Sequence, residues 1–246
     1  MHHVTLDGWS RGRSPLHARD PRAKILALLG FLVVMATTPI QSAVPLAPYG
    51  LWLACAVLLA RLPLASMLWR AAFVLPFSML FAVMSLAAGD PARAWAMIAK
   101  SYLSALAVLL VVGTTPIAVL LRGFEKLGAP RFLVMVVQFL YRYLFVVSEQ
   151  AQHMRLAASS RGLDGSVMAW GRKLRAAGGA IAVLFARSYA RADGIHRAML
   201  SRGFQGQLPA FEMRRFGWRD AVFAALAWSV PLALRAALGE PIAWNR

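Results

Sequence analysis

"PRFLVMVVQFLYRYLFVVSEQAQHMRLAASSRG" occupies residues 130–162, and the fold turns on how it is read. From Phe132 to Val147 it is as apolar as a membrane span; beyond Val147 it becomes polar and basic. The apolar half has about 16 residues, short of the roughly 20 that a crossing helix needs. It also holds Gln138 and Arg142, which are costly in hydrocarbon. One long helix fits better than a span, its first half against apolar neighbours and its second half in the cytoplasm. It closes on Ser160-Arg161-Gly162. The same ending recurs as Ser201-Arg202-Gly203 in "HRAMLSRGFQG" (196–206).

Around this stretch the chain is greasy and basic at once. Of 246 residues, 59% are hydrophobic and 15% charged, yet the net charge is +17. Soluble domains are about half apolar, so the excess points to lipid as solvent. Several membrane-length apolar runs exclude a nucleic-acid-binding domain of similar charge. Cys55 is the single cysteine, which rules out an internal disulfide and a Cys-x-x-Cys zinc site. The polar, basic first two dozen residues show no signal peptide.

Five runs read as spans: 25–40, 43–60, 71–89, 101–121 (ending near Thr114–Pro116) and 218–238. Asp20 and Pro21 read as the cap and first position of the first helix, with Arg22 and Lys24 at the headgroups. Arg235, late in the last run, reads as snorkelling outward. Lysine and arginine number five up to Lys24, two at 61–70 and sixteen over 122–219. The other side holds Arg93, Lys100, Arg235 and Arg246. That asymmetry places the N-terminus and the 120–217 region in the cytoplasm and the C-terminus outside.

The expected architecture is an all-α polytopic membrane protein of about five transmembrane helices, with cytoplasmic helices between the fourth and fifth. Its parts are a cytoplasmic arm (1–24), four spans (25–116), a cytoplasmic helical region (117–217) and a last span with the C-terminus (218–246). Within the helical region, 116–128 is amphipathic and reads as lying on the membrane surface. The run 167–203 shows an apolar seam through Val167, Trp170, Leu174, Ala177, Ile181 and Leu184, extended by Ala192, Ile195 and Met199. Ala177, Gly178, Gly179 and Ala180 would let a second helix cross closely.

Glycine just past a last helical turn commonly adopts the left-handed conformation, a role that fits Gly162 and Gly203. Arg161 and Arg202 then sit at the tips. Singly, each is an ordinary C-terminal cation facing the helix dipole. As a pair, they offer two planar, five-donor groups suited to a partner's carboxylates or carbonyls.

With these motifs the chain resembles the transmembrane T component (CbiQ/EcfT type) of energy-coupling factor importers, a class of ABC transporter. The likeness runs through "SPLHARDPRAK" (14–24), "GTTPIAVLLRGFEKLGAPR" (113–131), "VQFLYRYLFVVSEQAQHMRLAASSRG" (137–162) and "HRAMLSRGFQGQLP" (196–209). The family signature is a twice-occurring Ala-Arg-Gly at the ends of coupling helices; here Ser160 and Ser201 stand in place of alanine. The resemblance implies a scaffold. Its tips dock two copies of a cytoplasmic ABC ATPase, and its membrane part holds a substrate-binding S component, CbiM/NikM-like if the cargo is cobalt or nickel. A vitamin S component is the alternative. No cofactor or metal is implied for this chain, since ATP and magnesium belong to the ATPases.

Catalytic patterns are lacking. No phosphate-binding glycine loop occurs, and the acidic residues make no Asp-x-x-Asp or His-Glu-x-x-His arrangement. Glu149 and His153 read as a solvated pair one turn apart. A membrane enzyme and a self-sufficient channel are the rival classes; the latter would need ionisable groups within the spans.

Overall fold

The computed structural model describes residues 9–10, 12, 14–38, 46–162, 170–206 and 216–237. These residues form α1 (Pro21–Thr37), α2 (Ala47–Leu59), α3 (Leu64–Ala71), α4 (Leu75–Ala87) and α5 (Pro91–Thr114). They continue through α6 (Ile117–Lys126), α7 (Arg131–Ser160), α8 (Trp170–Ser201) and α9 (Trp218–Ala237), with no strand among them. The protein is an all-α membrane protein. Among the described residues, three stretches are long and apolar enough to cross a bilayer: Leu64–Ala87, Pro91–Thr114 and Arg131–Ser160. The third is the run that the sequence reading kept out of the membrane. As one unbroken 30-residue helix it is long enough to span, which its 16 most apolar residues are not.

Two compact units divide the chain, Met1–Gly128 with Arg214–Arg246, and Ala129–Met213. In the first, α1 runs beside α5, α6 and α9. It starts where the sequence indicates: Asp20 accepts a hydrogen bond from the Arg22 amide at 2.9 Å, and Pro21 opens the helix. Gly30 fixes the approach of α9. A β-carbon there would lie 2.3 Å from the Trp228 indole, whose Nε1 donates to the Leu26 carbonyl at 2.9 Å. Phe31 stacks on Trp52 at 5.7 Å and meets Tyr49 edge-on, joining α1 to α2 in a core with Met35, Leu53, Met67 and Leu106.

Several boundaries differ from the sequence reading. Residues 61–70 are mostly helix, not loop, because α3 begins at Leu64. A 3-10 turn at Ala72–Val74 links α3 to α4, next to Pro76, which has no amide hydrogen to continue the α-ladder. Helix α5 starts at Pro91, not 101, with the Asp90 carboxylate accepting from the Arg93 amide at 3.0 Å. Helix α6 belongs to the first unit, where Gly123 lets it sit against α1. A β-carbon there would be 2.9 Å from Ile25 Cδ1 and 3.2 Å from Pro21 Cβ.

Two cations read as interfacial are buried instead. Lys24 is 3% exposed and donates from Nζ to the Thr114 carbonyl (3.0 Å) and Thr115 Oγ1 (2.8 Å), at the end of α5. Arg235 is 7% exposed and turns inward to Thr37, bonding its carbonyl at 3.1 Å and its hydroxyl. Lys100 Nζ donates to the carbonyl of Thr38 beside it. A helix end leaves carbonyls without intrahelical partners, and these cations satisfy them.

Candidate functional site

The second unit is built on α7 and α8, which pack against each other. Phe139, Tyr143 and Val147 of α7 face Ser188, Ala192, Ile195 and Met199 of α8 across a cavity of about 260 Å³. These α8 positions recur every three to four residues, the spacing that keeps side chains on one helix face. Phe139 and Tyr143 stack at 6.2 Å, stiffening the α7 side.

The expected crossing at Ala177, Gly178, Gly179 and Ala180 is not where these helices meet. Ala177 to Gly179 are exposed, and a β-carbon at Gly178 or Gly179 would meet nothing within 4 Å. The extension of the seam through Ala192, Ile195 and Met199 faces α7 across the cavity, whereas Trp170, Leu174 and Ile181 lie exposed. Small residues permit a close approach, but no neighbour takes it up at Gly178 or Gly179. Val167 lies outside the described residues.

Both tips have the expected backbone. Gly162 has φ +73° and Gly203 φ +75°, the left-handed region that glycine enters without strain. At the second tip, Gly203 N–H bonds the Leu200 carbonyl and Phe204 N–H the Met199 carbonyl, both at 3.0 Å. This pair is a Schellman motif. At the first, Gly162 N–H bonds the Ser159 carbonyl at 3.0 Å. Arg161 and Arg202 are exposed. Ser160 Oγ donates back to Leu156 O (2.9 Å) and Ser201 Oγ to Ala198 O (3.0 Å). With its hydroxyl satisfied on its own helix, each serine presents little more than the alanine it replaces.

The tips differ in reach. Arg202 lies three residues beyond Met199, the last α8 residue lining the cavity, while Arg161 lies fourteen beyond Val147. At 1.5 Å per residue, about 20 Å of α7 separates Val147 from Arg161. Along it, Glu149 and His153 pair at 3.8 Å with both side chains about three-quarters exposed, the solvated arrangement expected. Among the described residues no three His, Cys, Asp or Glu side chains cluster to hold a metal.

The second unit thus presents two exposed arginines, Arg161 and Arg202, each followed by a left-handed glycine at the end of a long helix. The cobalt transport protein (CbiQ) family model matches residues 12–211. The cobalt transport protein CbiQ of Rhodobacter capsulatus is 31% identical, over 87% of this chain and 88% of its own. Energy-coupling factor transporter transmembrane proteins EcfT are also similar. That of Acidaminococcus fermentans is 29% identical (93% and 98% covered), and that of Heliobacterium modesticaldum 28% (82% and 85%). The chain belongs to the CbiQ/EcfT family, the transmembrane T components of energy-coupling factor transporters.

Proposed function

We propose that this chain is the coupling scaffold of a cobalt or nickel importer. Arg161 and Arg202 each enter a groove on one of two cytoplasmic ABC ATPase subunits. The movement of those subunits passes through α7 and α8 to the membrane unit and so to a substrate-binding S component beside it. The observation that carries this reading is the pair of exposed guanidinium tips, each on a rigid glycine-capped helix end. Charge-assisted bonds of this kind contribute about 1.5–3 kcal/mol each. Five spans, with the Ala129–Met213 unit cytoplasmic, agree with the distribution of lysine and arginine. Arg142 and Gln138 within the apolar part of α7 favour keeping that helix out of hydrocarbon. The cobalt assignment follows the name of the Rhodobacter relative and of the family model; a vitamin S component would leave the docking mechanism unchanged.

The test is co-purification with the ATPase pair and uptake of labelled cobalt in cells. Arg161→Ala and Arg202→Ala should each weaken ATPase association about tenfold, one charge-assisted bond's worth. The double variant should insert normally and transport nothing. Normal assembly and uptake by the double variant would overturn the docking role.

A further inference from the structure

Four helices of the first unit leave a cleft of about 320 Å³ between them. The first two-thirds of α1 and α9, the second half of α2 from Trp52 on and the last third of α5 line it. It therefore lies at the level of one leaflet, the one that meets the first turn of α1. Its floor includes the buried Phe31 and Leu53; its rim includes Cys55, Leu59 and Leu226, all exposed. The rim residues stand on α2 and α9, so the cleft opens sideways between these helices.

A cleft with walls this apolar offers water too few hydrogen-bond partners, but accepts hydrocarbon at no cost. One end is different. Lys24 lies there, with two of its three donors held by Thr114 and Thr115. Phe223, also in the lining, carries the guanidinium of the partly buried Arg19 at 6.0 Å from its ring centre. Cationic groups thus stand at the headgroup end of an apolar slot.

We infer that this cleft is a site for an anionic phospholipid, one acyl chain lying between α2 and α9 and the phosphate at Arg19. The chain length inside the slot is set by the three helical turns that line it. The charge preference comes from Arg19, since the Lys24 charge behind it is opposed by the buried Asp20 carboxylate. The inference rests on the chain being embedded in a membrane and not on ATPase docking, so the two readings fail separately.

Cys55 is the only cysteine, which makes it a single-site reporter on the rim. The full chain, in neutral detergent, is mixed with phosphatidylglycerol or with phosphatidylcholine, and alkylation of Cys55 by N-ethylmaleimide is followed by intact mass. Phosphatidylglycerol should slow the reaction about fivefold more than phosphatidylcholine at equal mole fraction, as one basic side chain near a headgroup implies. Arg19→Gln should bring the two lipids level, and Leu226→Trp, which fills the rim, should make the rate independent of lipid. Equal protection by both lipids in the unaltered chain would overturn the proposal, as would a preference that survives Arg19→Gln. Slow alkylation without lipid, relieved by removing residues 1–8, would make the N-terminal segment the occupant and equally refute the lipid. Gel filtration checks folding; if Leu226→Trp aggregates, Arg19→Gln decides alone.

Discussion

Lys24, Lys100 and Arg235 share one task despite lying far apart in sequence: each brings a cation to the open carbonyls at the end of a helix. Sequence alone assigns such residues to headgroups, because charge in an apolar chain is cheapest there. Their partners, up to 198 residues away, appear only once the helices are packed. Removing such a donor strands buried acceptors. Lys24→Met should therefore destabilise the purified chain by about 1–3 kcal/mol, seen as earlier thermal unfolding in detergent. Gly30 is the apolar counterpart. Gly30→Val should cost about 1–3 kcal/mol by driving a side chain into Trp228. The change should be non-additive with Trp228→Leu, measured by a double-mutant cycle on the same unfolding transition.

Among the elements, those closed by strong local signals were legible and those fixed by packing were not. Asp20-Pro21 gave the start of α1, and Gly162 and Gly203 gave the ends of α7 and α8. The identical signal Asp90-Pro91 was overlooked because Arg93 and Lys100 make the first turns of α5 look like loop. The arginine tips were fully legible, since a capped end depends on only four or five neighbouring residues. The crossing of α7 with α8 was misplaced to 177–180, because small residues permit an approach but do not by themselves select one. The tip geometry makes its own prediction. Gly162→Ala and Gly203→Ala force a side chain into the left-handed region at a cost of about 1–2 kcal/mol, or unwind the last turn. Either way the neighbouring arginine is displaced, so ATPase co-purification should fall while Gly178→Ala, in open space, leaves it unchanged.

For the whole molecule, the Ala129–Met213 unit is inserted between the two segments of the other. On the proposed topology, Arg161→Cys and Arg202→Cys in a Cys55→Ser background should react with a membrane-impermeant maleimide only after cells are opened. Reaction in intact cells would place the tips outside and end the coupling reading. The discontinuity also sets the order of biosynthesis. Asp20 meets Asp220, Leu26 meets Trp228 and Thr37 meets Arg235, each pair about 200 positions apart. The ribosome must therefore release almost the entire polypeptide before its earliest helix acquires its final neighbour. A nonsense codon just after Met213 would leave the bared flank of α1 and the Leu26 and Thr37 carbonyls without their α9 donors, a lesion that quality-control proteases of the membrane can recognise. Supplying residues 214–246 as a separate peptide should rescue such a truncated product.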